Sequence, residues 1–304
     1  MIDLRSCEFI TKLPDLCYPN LEELDLENCE NIIEVHESIG FLKKLKVWNL
    51  EGCSQLQILP STLMLKSLEY FVLSFCRRLE KFPEIHLEMN CLKVLDLRLS
   101  GIRELPSSLL YMTGLERLYL CNNRKLWNKS QMRKEEDIPS AKLRLACNSF
   151  NNFSEPSGFL CLTHLDLRPC PRIKIELNSW MQPDYFPVLK YLYLSSTGIV
   201  TILESISRFT RLIYLEIKNC KKLREIPRLP QSIRTVNADN CYRLDPQSSS
   251  RLWNQVSLFL FLTEFKGIKK QFMLNFNFLQ FGEILGILPN AVAKATRNFE
   301  SEIY

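Results

Sequence analysis

A small polar residue returns along this chain every 21 to 27 positions, each time three residues after an apolar one: Cys7, Cys29, Cys53, Cys76, Ser100, Asn123, Asn148, Cys170, Thr197, Cys220 and Cys241. Reading back from these positions gives L-x-x-L-x-L-x-x-C, clearest in Leu21, Leu24, Leu26 and Cys29 and again in Leu162, Leu165, Leu167 and Cys170. Apolar substitutes hold the slots elsewhere, as in Leu45, Trp48, Leu50 and Cys53, or Leu212, Leu215, Ile217 and Cys220. The ten intervals from 7 to 241 average near 23 residues. A unit that short cannot bury an apolar face alone.

Within each unit, apolar residues two apart point to one side of a short strand, and the residues between them point to the other. Stacking such strands in parallel closes a continuous core, which predicts a leucine-rich repeat solenoid. This is an α/β repeat fold with a curved parallel sheet and an irregular or short-helical convex side. Leu13-Pro14, Leu59-Pro60, Phe82-Pro83, Leu105-Pro106 and Ile226-Pro227 close several units; proline fixes φ and removes a donor, which suits an irregular convex side. The recurring small residue is expected to satisfy backbone groups where the chain leaves the strand, since each buried unpaired group costs about 1–3 kcal/mol.

These slots divide the chain in two. Residues 1–245 form an array of about eleven repeats, one of them at Leu143, Leu145 and Asn148 behind the charged stretch from Lys129 to Asp137. Residues 246–304 follow as a separate segment, entered through the polar, turn-rich run from Pro246 to Ser250. In it Phe272, Leu274, Phe276 and Phe278 alternate with Met273, Asn275 and Asn277, which predicts a partial C-terminal β segment. Ala291 to Glu300 reads as a helix or tail.

Composition narrows the function. A net charge of +5 without a long basic run does not argue for nucleic acid. The apolar run from Val256 to Leu262 is too short to span a membrane. Nine glycines build neither G-x-x-x-x-G-K-[ST] nor G-x-G-x-x-G, so no nucleotide, other cofactor or enzyme activity is expected. His36, His86 and His164 are scattered; His164 and Asp166 share a strand face, and ordinary surface is the favoured reading. Seven of twelve cysteines sit in the recurring slot as packing groups, because parallel side chains in a column diverge from any tetrahedral metal centre. A reducing, intracellular setting follows from that use of cysteine. The chain opens inside a repeat, with Ile2, Leu4 and Cys7 in the last slots and no signal peptide, so a piece of a longer protein is expected.

The outward strand face remains for function. Its candidate partner-binding residues are Glu23, Asp25, Glu27, Asn49, Glu51, Val72, Ser74, Asp96, Arg98, Tyr119, Asp166, Arg168, Tyr191, Tyr193, Tyr214, Glu216 and Lys218. Tyrosine and arginine anchor protein interfaces, and a strip ten strand spacings long runs roughly 48 Å, enough for a standard one.

The L-x-x-L-x-L-x-x-C units, the closure Ser100-Gly101-Ile102-Arg103-Glu104-Leu105-Pro106 and the ending from Leu229-Pro230 through Asn237-Ala238-Asp239-Asn240-Cys241 together resemble one family. It is the repeat region of plant intracellular TIR, nucleotide-binding and leucine-rich repeat disease resistance proteins, of the tobacco mosaic virus resistance type. The resemblance covers residues 1 to about 250. It implies a recognition and autoinhibition module that binds a pathogen effector or guarded host protein and the nucleotide-binding domain of the full receptor. It also implies a cytoplasmic setting, with the nucleus as a second compartment, and a C-terminal jelly-roll module of which residues 246–304 would be an incomplete part. The TIR and nucleotide-binding domains have no counterpart here, so their activities are not assigned. The alternatives are a structural or adaptor scaffold without an immune role, and a truncated receptor fragment without function.

Overall fold

A computed structural model describes residues 1–252, apart from 17, 87–88, 103–104, 107, 110–111, 121–158 and 169–180. Among the described residues ten short strands form one parallel sheet. They are β1 (Ile2–Asp3), β3 (Glu23–Asp25), β5 (Val47–Asn49), β7 (Tyr70–Val72), β9 (Val94–Asp96), β10 (Arg117–Tyr119), β11 (His164–Asp166), β12 (Tyr191–Tyr193), β13 (Tyr214–Glu216) and β14 (Thr235–Asn237), stacked in that order. Four two-residue strands lie away from it and pair in twos: β2 (Lys12–Leu13) with β4 (Glu34–Val35), and β6 (Thr62–Leu63) with β8 (Glu84–Ile85). Between strands the chain also makes short 3-10 turns at Glu37–Phe41, Pro183–Tyr185 and Glu204–Arg208. The fold is the expected leucine-rich repeat solenoid, with a convex side of short turns and small sheets.

The register explains the spacing of the leucines. Leu24, Trp48, Phe71, Leu95, Leu118, Leu165, Leu192, Leu215 and Val236 are each paired with the next across the sheet, and all are buried. Leu26, Leu50, Leu73, Leu97, Leu120, Leu167, Leu194 and Ile217 bury a second column. Trp48 and Phe71 stack with ring centroids 4.9 Å apart, filling one stretch of core with aromatic volume.

Among the described residues, eight turns then reverse through a left-handed residue. Ser6, Asn28, Phe75, Leu99, Ser196, Asn219 and Asn240 have φ between 57° and 63°, and Gly52 has φ 77°. Each immediately precedes a small residue of the recurring slot. The slot side chains bind backbone in the neighbouring turn: the thiols of Cys29, Cys53, Cys76, Cys220 and Cys241 donate to the carbonyls of Leu4, Leu26, Leu50, Leu194 and Ile217 at 2.9 to 3.3 Å. Thr197 donates to the Leu194 carbonyl at 2.6 Å. Asn123, Asn148 and Cys170 lie outside the described residues.

β10 pairs directly with β11, Arg117 opposite His164, and the backbone amides of Thr163 and His164 bond the Glu116 carbonyl. The repeat expected at Leu143, Leu145 and Asn148 lies outside the described residues. The run at 246–250 is the start of a helix rather than a turn, helical through residue 252. The Asp245 carboxylate accepts from the Ser248 amide at 2.8 Å and proline follows at once, a capped helix start. Ser248, fully buried, bonds the Ile226 amide at 2.9 Å, and Leu252 joins the core. The β segment expected at Phe272 to Phe278 and the helix or tail at Ala291 to Glu300 lie outside the described residues.

Candidate functional site

The outward sheet face is built in three columns. The first runs Glu23, Val47, Tyr70, Val94, Arg117, His164, Tyr191, Tyr214 and Thr235; the second runs Asp3, Asp25, Asn49, Val72, Asp96, Tyr119, Asp166, Tyr193, Glu216 and Asn237. The third lies two residues on, at Glu27, Glu51, Ser74, Arg98, Arg168, Ser195, Lys218 and Asp239. All seventeen expected partner-binding residues fall in these columns.

The second column has structural work of its own. Asp3, Asp25, Asn49, Asp96, Asp166 and Asn237 each accept, through the side-chain oxygen, the amide two residues on, at 3.0 to 3.2 Å. At a strand end that amide has left the ladder, and the short Asp or Asn side chain is the group that reaches it. Ser74, Asp96 and Asp166 are buried, so their selection as partner contacts is corrected. The closely spaced neighbouring columns cover these side chains, and Asp96 and Asp166 act through the arginines they hold.

Those arginines are fixed. Arg98 Nε bonds both Asp96 oxygens at 2.9 Å, and its guanidinium lies 5.5 Å from the centre of the Tyr119 ring. Arg168 donates to Asp166 through Nε at 3.0 Å and one terminal nitrogen at 2.8 Å, and to Glu216 through the other at 2.8 Å. It also lies 4.5 Å over the Tyr193 ring. Glu216 collects Ser195 Oγ at 2.7 Å and the Tyr214 hydroxyl at 3.0 Å. Burial acts to raise the Glu216 carboxyl, but hydrogen bonds from Ser195 and Arg168 outweigh it and hold the group below the ordinary glutamate range. Burial, and then the bond to Glu216, pushes the Tyr214 hydroxyl up to about 12.

Around this network the aromatic rings continue from turn to turn. His164 stacks on Tyr191 at 4.3 Å, Tyr193 meets Tyr214 at 5.2 Å, and Tyr191 meets Tyr214 at 6.3 Å. His164 and Asp166 do not form a pair. The imidazole Nδ1 is 2.8 Å from Thr163 Oγ1, and burial, with the charges of Arg117 and Lys190, lowers its pKa. Among the described residues no three His, Cys, Asp or Glu side chains converge as a metal site. The residues missed in the sequence, His164 as a stacking ring and Ser195 as a hydrogen-bond donor, share columns with the selected ones; strand register was the available signal.

Toward the other end the face is acidic. Asp3, Asp25, Glu23, Glu27 and Glu51 occupy the first turns, with Arg5 bound to Asp3 at 2.7 Å and 3.7 Å from Asp25. Beside them a rim ladder pairs Lys46 with Glu22 at 2.8 Å and Lys93 with Glu69 at 2.6 Å.

No family model matches the chain. Among curated proteins, TMV resistance protein N of Nicotiana glutinosa is 29% identical over 298 residues, covering 78% of this chain and 25% of its own length. Disease resistance protein RPP4 of Arabidopsis thaliana is 27% identical over 232 residues, covering 74% of this chain and 17% of its own length. The chain thus spans a quarter or less of the length of these relatives. Among solved structures, the leucine-rich repeat domain of the type III effector XopL superposes with a TM-score of 0.54 at 19% identity, over 82% of this chain and 77% of that domain. That likeness shows the fold.

Proposed function

This leucine-rich repeat solenoid is homologous to plant disease resistance proteins of the TIR, nucleotide-binding and leucine-rich repeat class, and on that premise we propose that it is the recognition module of an innate immune receptor. It binds protein, a pathogen effector or a guarded host protein, through the outward sheet face. It also restrains the nucleotide-binding domain of the full receptor, in the cytoplasm. No helix among the described residues is long and apolar enough to cross a membrane.

The observation that carries the reading is the run His164, Tyr191, Tyr193 and Tyr214 with Arg168 held over the Tyr193 ring. These side chains are half-buried, so part of each ring still faces solvent. Rigid aromatic rings beside a pre-oriented guanidinium give up little conformational freedom on binding, as interface anchors do. Lysine crosslinking of the chain in extracts of pathogen-challenged leaves tests this. Partner peptides are expected on Lys190 and Lys218, beside the patch, and to be lost in Tyr191→Ala/Tyr214→Ala. Crosslinks confined to Lys12 and Lys43, unchanged in that variant, refute the assignment.

A further inference from the structure

Charge is divided along this solenoid. Residues 1–100 carry 11 Lys and Arg against 16 Asp and Glu, whereas residues 181–252 carry 11 against 6. The modest net charge of +5 therefore conceals an acidic end and a basic one.

The repeat turns that division into a local surface. The two residues after the recurring slot form a row of their own from turn to turn, and within it Asn31 Nδ2 donates to the Glu8 carbonyl at 2.8 Å. Glu8 and Glu30 hold the row at the acidic end, and Ser54 and Gln55 follow. The last two turns place Lys221, Lys222, Tyr242 and Arg243 there, all exposed, with exposed Arg224 two residues past Lys222. Equivalent positions in adjacent parallel turns are about 4.8 Å apart, so the cations of one turn lie beside that of the next.

These cations also lack counter-charge. At the acidic end Lys12 holds Glu34 and Lys46 holds Glu22, each at 2.8 Å. Among the described residues Lys221, Lys222, Arg224 and Arg243 meet no carboxylate within ion-pair distance, and the acids nearby in sequence are engaged elsewhere. Asp239 lies 3.7 Å from Lys218, the Asp245 carboxylate accepts from the Ser248 amide at 2.8 Å, and Glu225 lines a cavity with Glu204 and Arg251. A surface that gathers like charges without counter-charge steers and holds an anionic partner.

We propose that Lys221, Lys222, Arg224 and Arg243 dock an acidic protein segment, one rich in Asp and Glu. Carboxylates on alternate residues of an extended segment stand about 6.6–6.8 Å apart, a spacing that long side chains on adjacent turns can match. The arginine forks take carboxylates two-handed. Tyr242, 68% exposed with its hydroxyl held by Asn240 at 2.7 Å, offers its ring to the apolar part of the segment. One ring and two turns of positive charge fit a nucleic-acid strand poorly, since a strand stacks successive bases on successive rings along a longer track.

None of these residues belongs to the outward columns, so the test is independent of the aromatic patch. The full chain is titrated, by fluorescence anisotropy, against labelled oligoglutamate, oligoglutamine of the same length and oligothymidylate. Oligoglutamate is expected to bind and to weaken as salt rises, with oligoglutamine unbound and oligothymidylate at least about tenfold weaker. Lys221→Glu/Arg243→Glu is expected to lose at least about tenfold of the oligoglutamate affinity. Arg77→Glu/Arg78→Glu, the same charge change in the same row of another turn, is expected to lose less than about twofold. Both pairs are exposed, and circular dichroism checks that the variants fold. In the wild-type chain, carbodiimide coupling of oligoglutamate is expected on Lys221 or Lys222 rather than on Lys12 or Lys43. Equal losses in the two variants, oligothymidylate bound as tightly as oligoglutamate, or coupling only at other lysines overturns the proposal.

Discussion

The first three turns and the turns from β11 to β13 share one backbone and use it differently. In both, an aspartate at the strand end caps the amide two residues on, Asp25 in one and Asp166 in the other. Around Asp25 the face is open: its side chain is 28% exposed, and its other links are Asn49 Nδ2 at 3.0 Å and the more distant Arg5. Around Asp166 the face is closed: its side chain is 4% exposed, and Arg168 grips it twice. The same residue in the same slot is therefore a replaceable cap in one region and the base of a charged network in the other. What surrounds the cap, rather than the cap itself, makes a surface specific.

The sharpest way to break that comparison is to remove both aspartates. Asp166→Ala orphans Arg168 and an amide together and is expected to cost about 3 kcal/mol, while Asp25→Ala removes mainly the cap and costs about 1 kcal/mol. Urea unfolding of the two variants compares them. Equal losses would mean that the Arg168 network adds nothing to the cap.

Acid separates the regions next. The Glu216 carboxyl is held below its ordinary value of 4.5 in the folded chain, so its contribution is present above that value and fades as the pH falls through the folded one. Glu216→Gln is expected to flatten the loss of stability between about pH 5 and pH 3. In the acidic region Asp3 is lowered to about 2 by its hydrogen bonds from Arg5, but it is solvent-screened, and Asp3→Asn should leave that limb unchanged. Thermal melts across the range distinguish the two.

A smaller effect belongs to the rings. Tyr191→Ala removes the His164 stack, which is worth about 1 kcal/mol beyond the area lost, whereas Glu23→Ala, in the same column of the acidic region, is expected to change stability by less than about 0.5 kcal/mol. A melt in which both variants match wild type would show that the stack is surface decoration.

Much of this was legible in the sequence, for a physical reason. A solenoid repeats one local problem, so Leu24 and Cys29 describe the burial of their equivalents in most of the described turns, and the fold follows from period alone. The outward face is legible only as a set of positions. Asp96 and Asp166 look like binding residues in a list of outward side chains. Read down the second column beside Asp3, Asp25, Asn49 and Asn237, they are visibly a structural series, because a residue type that returns in most turns answers a backbone need. The pairing of β10 with β11, residues 117–119 against 164–166, is by contrast a long-range fact that no local pattern carries. Asp245-Pro246 with Ser248 was a readable helix start, obscured by taking proline and serines for a turn.

The left-handed position before each slot residue gives the smallest test, and its sign is reversed. Most turns place Asn, Ser or Gly there, but Leu99 adopts φ 57° and Phe75 φ 63°. A bulky side chain in this conformation crowds the carbonyl that follows, at about 1 kcal/mol. Asparagine relieves that crowding through a short side chain that tolerates the conformation, as Asn28, Asn219 and Asn240 show in the equivalent turns. Leu99 is only half-buried, so little packing is lost with it. Leu99→Asn should therefore stabilise the array by about 0.5–1 kcal/mol, read as a higher urea midpoint at unchanged slope. A lower midpoint would show that Leu99 packs against its neighbours strongly enough to outweigh its strained backbone, and that the middle turns, unlike either end region, are held by this turn residue rather than by cap and column.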